Sequence, residues 1–75
     1  MNNNFANNLR FLRKLNHLKQ KDVANIIGKS DDIVSCWEKE TRKPLVEDVY
    51  TLSQYFHIDM ETLYFGDVTN VKAVR

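Results

Sequence analysis

The stretch Gln20 to Trp37, QKDVANIIGKSDDIVSCW, constrains the fold of this chain more than any other. It predicts two short helices joined by a sharp turn. Val23, Ala24 and Ile27 recur at helical spacing and give the first segment an apolar side. Gly28 follows, and glycine takes the positive φ that a sharp exit from a helix requires. Ser30 stands where it can cap a second helix by accepting a backbone N–H. Asp31 and Asp32 then place negative charge in a first turn, where the helix dipole favours it. Val34 and Trp37, three residues apart, give this second helix its own inward side. A helix, a glycine turn and another helix form a unit that can lay its second helix into the major groove of duplex DNA.

The flanking segments read as further helices. Phe5, Leu9 and Leu12 form a core-facing stripe over Phe5 to Leu15, with Arg10, Arg13 and Lys14 off it. The asparagines before Phe5 predict a frayed start. Asn16 and His17 end this helix, asparagine being tolerant of the left-handed conformation, and Leu18 turns back to the core. The next helix starts near Lys19 or Gln20, and the one after it spans Asp31 to Lys39. Pro44 disfavours helix at Lys43, so Glu40 to Pro44 is a polar connection. Val49, Leu52 and Phe56 are the inward stripe of a fourth helix, Val46 to Phe56, with Glu47 and Asp48 in its first turn. Asp59 can cap a fifth, Met60 to Tyr64, which Gly66 stops. The domain is expected over 1–67. Residues 68–75, with period-2 hints at Val68 and Val71, would be a tail, a short strand or a dimer contact.

The chain has 75 residues, which suits a single all-helical core; domains of roughly 55–65 residues already fold alone. Its one cysteine permits no intrachain disulfide and predicts a reducing, cytoplasmic setting. No apolar run approaches the ~20 residues of a membrane span, and the uncharged start MNNNFANN is no secretory signal. His17, His57 and Cys36 lack the compact spacing of a metal site, and no cofactor is expected. No nucleophile–base set or phosphate-cradling glycine loop is present, so catalysis is not expected. Net charge is only +1, but residues 1–21 hold five bases and no acid, whereas 22–48 hold four bases and seven acids. A basic first third can face a polyanion, or it can be an ordinary solvated helix face.

An ordered set of residues resembles the lambda-repressor-like, or XRE/Cro-type, helix-turn-helix domain family. The set runs Leu12-Arg13, Leu18-x-Gln20, Ala24-x-x-x-Gly28, Ser30, Trp37-Glu38, Arg42-Lys43-Pro44, Leu52 and Leu63-x-Phe65-Gly66. The resemblance implies an all-α, compact five-helix domain whose second and third helices form the helix-turn-helix. It also implies a homodimer on paired half-sites of double-stranded DNA, acting as a transcription regulator. It places Gln20 as a phosphate anchor, Arg13 and Glu38 as an internal ion pair, the third helix in the groove, and Arg42 and Lys43 against the backbone. The family often carries Gln, Arg, Ser or Thr where this chain has Asp31, Asp32, Ile33 and Cys36. A glycine is common at the places of His17 and Glu40, and a Ser or Thr cap at that of Lys19.

The candidate DNA-binding residues are therefore Gln20, Lys29, Ser30, Asp31, Asp32, Ser35, Cys36, Lys39, Arg42 and Lys43. Lys21, Lys29, Lys39, Arg42 and Lys43 can supply the salt-sensitive attraction to phosphate; lysines on a surface are otherwise simply solvated. Asp31 and Asp32 admit three readings: they stabilise the helix start, accept from a cytosine amino group, or repel phosphate and mark a protein-binding surface. Ser35 can reach a base edge or phosphate, and Cys36 can touch a thymine methyl. Trp37 is a core anchor. Tyr50, Tyr55, Tyr64 and Phe65 give the second half an aromatic surplus, part of it suited to a two-fold contact through the fifth helix and tail. The expected function is sequence-specific regulation of transcription, most simply repression. The alternative is the same fold used as a protein-binding module, an anti-repressor or accessory factor.

Overall fold

The structure is a computed structural model that describes residues 3–70. Helices α1 (Phe5–Leu15), α2 (Gln20–Ile27), α3 (Asp31–Lys39), α4 (Val46–Phe56) and α5 (Met60–Phe65) are followed by a 3-10 turn at Val68–Asn70. No strand occurs among the described residues. α1 crosses both α3 and α5, α2 packs on α3 and α4, and α4 packs on α5. The expected stripes meet in one core: Phe5, Leu9 and Leu12 of α1, Val23 and Ala24 of α2, Val34 and Trp37 of α3, and Val49, Leu52 and Phe56 of α4. Phe5 meets Trp37 edge to face at 5.8 Å between ring centres, an arrangement aromatic quadrupoles favour.

The opening asparagines are not frayed where they are described. Asn4 N–H donates to the Tyr64 carbonyl at 2.9 Å, and its side chain donates to the Gly66 carbonyl at 2.9 Å. Asn8 is buried. Its amide nitrogen donates to the carbonyls of Leu63 at 2.8 Å and Gly66 at 3.0 Å, while its oxygen accepts Val68 N–H at 3.2 Å. One side chain thus serves backbone groups that the end of α5 leaves without helical partners. Val68 is fully buried in the core and opens the 3-10 turn, so it forms no strand there. Val71 lies outside the described residues.

Two further expectations change at helix ends. His17, not Asn16, takes the left-handed conformation after α1, with φ 57°; the Asn16 side chain instead donates to the Leu12 carbonyl at 2.8 Å. Ser30 occupies the N-cap position of α3, but its side chain makes no capping hydrogen bond. Asp59 does cap α5. It accepts from the Thr62 hydroxyl at 2.7 Å and the Thr62 N–H at 3.2 Å, which hold its carboxyl below the usual aspartate range.

Glu40 and His57 also take positive φ, 63° and 59°. For an L residue with a Cβ this conformation costs about 1–2 kcal/mol. Replacing Glu40 by glycine should therefore raise stability by about 1 kcal/mol in urea unfolding, after allowing for glycine's greater unfolded-state entropy. Asn8→Ala should do the opposite. It orphans the Leu63 carbonyl and the Val68 N–H together, while Asn4 still serves Gly66, and should cost about 2–4 kcal/mol in the same measurement.

Candidate nucleic-acid interface

The turn between α2 and α3 is set by Gly28, whose φ is 70°. Its N–H closes on the Asn25 carbonyl at 3.3 Å, and Lys29 N–H reaches the Ala24 carbonyl at 2.9 Å. The last carbonyls of α2 are thereby satisfied and the chain is redirected into α3. Lys29 then anchors the turn from outside. Its ammonium lies 2.8 Å from Asp48 Oδ2, and Asp48 also accepts the Leu45 N–H at 3.1 Å at the start of α4. The Lys29 charge is thus matched by a buried carboxylate.

Val34, Trp37 and Glu38 form the buried side of α3. Asp31, Asp32 and Lys39 are exposed, and Ser35 and Cys36 are half-buried between the two sides. Ser30, just before the helix, and Arg42 and Lys43, just after it, are exposed too. The accessible side of α3 is therefore acidic at its first turn and basic beyond its last. Cys36 contributes its carbonyl to the exit, accepting Thr41 N–H at 3.0 Å.

Glu38 is the organising group beneath this surface. Arg13 grips it with two hydrogen bonds, Nε to Oε2 at 2.7 Å and Nη2 to Oε1 at 3.0 Å. This grip keeps the Arg13 guanidinium charged more firmly than usual. Arg13 Nη1 also donates to the Leu18 carbonyl at 3.1 Å, fixing the link between α1 and α2. Gln20 donates to Glu38 Oε1 at 3.2 Å, so its amide is tied to the network and is not a freely moving surface group. Arg10 donates to the Glu38 carbonyl at 2.6 Å, with its Nε 3.9 Å from Oε1.

In the sequence Arg10 reads as a surface base, and Asp48 has only a dipole role. The spacing of Arg10 and Arg13, i and i+3 on α1, was the available signal that both could reach one target. Nothing local announces the Lys29–Asp48 pair. The structure brings Asp31, Asp32, Ser35, Cys36 and Lys39 onto α3, with Ser30 at its N-cap. It places Gln20 beside the last turn of α3, the end that leads to Arg42 and Lys43, and away from the aspartates.

The pattern of the family described as "Helix-turn-helix domain" matches residues 6–67. The chain belongs to the helix-turn-helix domain family. This helix-turn-helix domain is 31% identical over 67 residues to a cryptic phage CTXphi transcriptional repressor, RstR, of Vibrio cholerae. The match covers 89% of this chain and 60% of that relative, so the domain spans about three-fifths of the repressor's length. Among solved structures it is similar to the P22 c2 repressor protein, crystallised with synthetic operator 9T. That match has a TM-score of 0.77 and 25% identity, over 84% of this chain and 96% of the other. It is also similar to a transcriptional regulator from Listeria innocua, with a TM-score of 0.82 and 29% identity, over 97% of this chain and 67% of that one. The five-helix, lambda-repressor-like architecture is common to them.

Removing one member of a buried ion pair leaves the other charged and dry, at a cost of about 3–5 kcal/mol. Arg13→Met should lose that much stability in urea unfolding. Arg13→Met with Glu38→Leu should recover part of the loss, because no orphaned charge then remains.

Proposed function

We propose that this domain represses transcription by seating α3 in the major groove of double-stranded DNA. The family and the repressor relatives support reading the chain as a DNA-binding transcriptional regulator. The observation that carries the finer reading is the division of α3. Its inner side is locked to α1 and the core, and its outer side offers polar groups at helical spacing. In this reading Gln20, Ser30 and Ser35 position the helix, and Lys39, Arg42 and Lys43 supply attraction to phosphate. Asp31, Asp32 and Cys36 discriminate between bases, the carboxylates by accepting from cytosine amino groups. Lys29 acts indirectly, holding the turn through Asp48. Work of this kind on DNA needs neither catalysis nor a cofactor, and it belongs in the cytoplasm.

A homodimer suits this task, since paired half-sites match a two-fold protein. Support comes from the side of α4 and α5. Leu45, Val46, Tyr50 and Phe65 are large apolar residues left exposed there. Val46 and Phe65 join Pro44, Met60 and Tyr64 around an open groove of about 440 Å³. The alternative, a protein-binding module, draws on one observation: both carboxylates at the tip of α3 are exposed, where phosphate would be repelled.

Selection from random duplexes at moderate salt separates the two. Repression predicts an enriched palindromic site; no enrichment would favour the protein-binding module. On the selected duplex, Arg42→Ala with Lys43→Ala should weaken binding and lower the slope of log K against log salt by about 2, one for each phosphate no longer neutralised. An unchanged slope would remove these two residues from the interface.

A further inference from the structure

Gln20 spends one N–H on Glu38, at 3.2 Å. A side-chain amide has two such donors, so a second remains. An isolated surface glutamine can offer either its nitrogen or its oxygen to a neighbour, since the two orientations have nearly the same shape. Opposite a phosphate, only the nitrogen attracts. A carboxylate only accepts, so Gln20 must turn its nitrogen toward Glu38. We propose that Glu38 is a positioning residue for DNA: it holds one N–H of Gln20 and thereby presents the other to a backbone phosphate.

The assignment rests on the duplex-binding reading above, and it gives Glu38 a role beyond its ion pair with Arg13. A carboxylate near a phosphate would ordinarily repel it. Here Glu38 is 6% exposed, Arg13 grips it at 2.7 Å, and Arg10 approaches at 3.9 Å. Two guanidiniums against one carboxylate leave the cluster positive. The groove helix and the phosphate anchor are thus linked through one side chain, because Glu38 belongs to α3 and Gln20 opens α2.

Glu38→Gln tests this with little change of shape. Oε2 faces the shorter Arg13 bond, at 2.7 Å, so the new amide keeps its oxygen there. Its NH2 then occupies the place of Oε1, gives up the bond from Arg13 Nη2, and donates toward Gln20. Gln20 must flip its oxygen inward to accept, or swing away. Either way the second N–H loses its fixed direction.

A double-mutant cycle on the full chain reads the coupling, with circular dichroism confirming that each variant is folded. The probe is a random-sequence 20-base-pair duplex at low salt, since phosphate contacts carry no sequence information. Gln20→Ala should weaken binding about tenfold, the usual worth of one hydrogen bond to a charged group. Glu38→Gln should weaken it about fivefold on the same scale. The double variant should bind no worse than Gln20→Ala alone. If Glu38→Gln leaves binding by the folded protein unchanged, or if the two effects multiply, the assignment is overturned. Should Glu38→Gln not fold, the wild-type chain decides by NMR. The two Gln20 side-chain amide protons should be distinct before duplex is added, and only one should move on titration. Equivalent movement of both, or of neither, would overturn it. Absence of any wild-type binding would overturn the duplex-binding reading and this assignment together; binding with multiplying effects would overturn this assignment alone.

Discussion

The fold turns on one buried carboxylate. Glu38 sits on the inner side of α3, where an unpartnered charge could not be tolerated. Its demands are met from outside its own helix, by hydrogen bonds from Arg13 of α1 and Gln20 of α2, with Arg10 of α1 approaching at 3.9 Å. Such a cluster need not add much net stability, since desolvation offsets most of the attraction. Its consequence is geometric. The bonds have direction, and they hold three helices in one arrangement in which apolar contacts alone would allow sliding. The outer side of α3 inherits its placement from this inner cluster.

A second carboxylate repeats the device at the other end of α3. Asp48, buried at the start of α4, draws in the Lys29 ammonium from the turn. The helix-turn-helix is therefore clamped near its turn by α4 and near its exit by α1. These clamps take Lys29, Arg13 and much of Arg10 out of general surface attraction. A duplex approaching this side meets carboxylates at the tip of α3 and bases beyond its end. In the proposed reading, discrimination between bases and attraction to phosphate fall at opposite ends of the same short helix.

The third tie is made by asparagine. Asn4 and Asn8 stitch α1 to the end of α5 through backbone carbonyls, and Val68 closes over them. In the sequence these residues look like a polar, weakly helical start. Their value appears only once the unpaired carbonyls of α5 lie beside them. Left-handed residues tell a similar story. Gly28 could be placed from the sequence because glycine is suited to positive φ, whereas His17, Glu40 and His57 adopt it against their own preference.

The helices and their inward stripes were legible because they depend on spacing within a turn or two of one chain segment. The same holds for the glycine turn and the Asp59 cap. The resemblance carried the Arg13–Glu38 pairing and the groove side of α3 as expectations, and the geometry gives the former its distances. What remained hidden was the pairing of polar groups far apart in sequence: Lys29 with Asp48, 19 residues apart, and Asn8 with Leu63, 55 apart. Local periodicity says which side of a helix is dry. Only packing decides which donor and which acceptor are brought to the same dry place, because that depends on how separate helices cross.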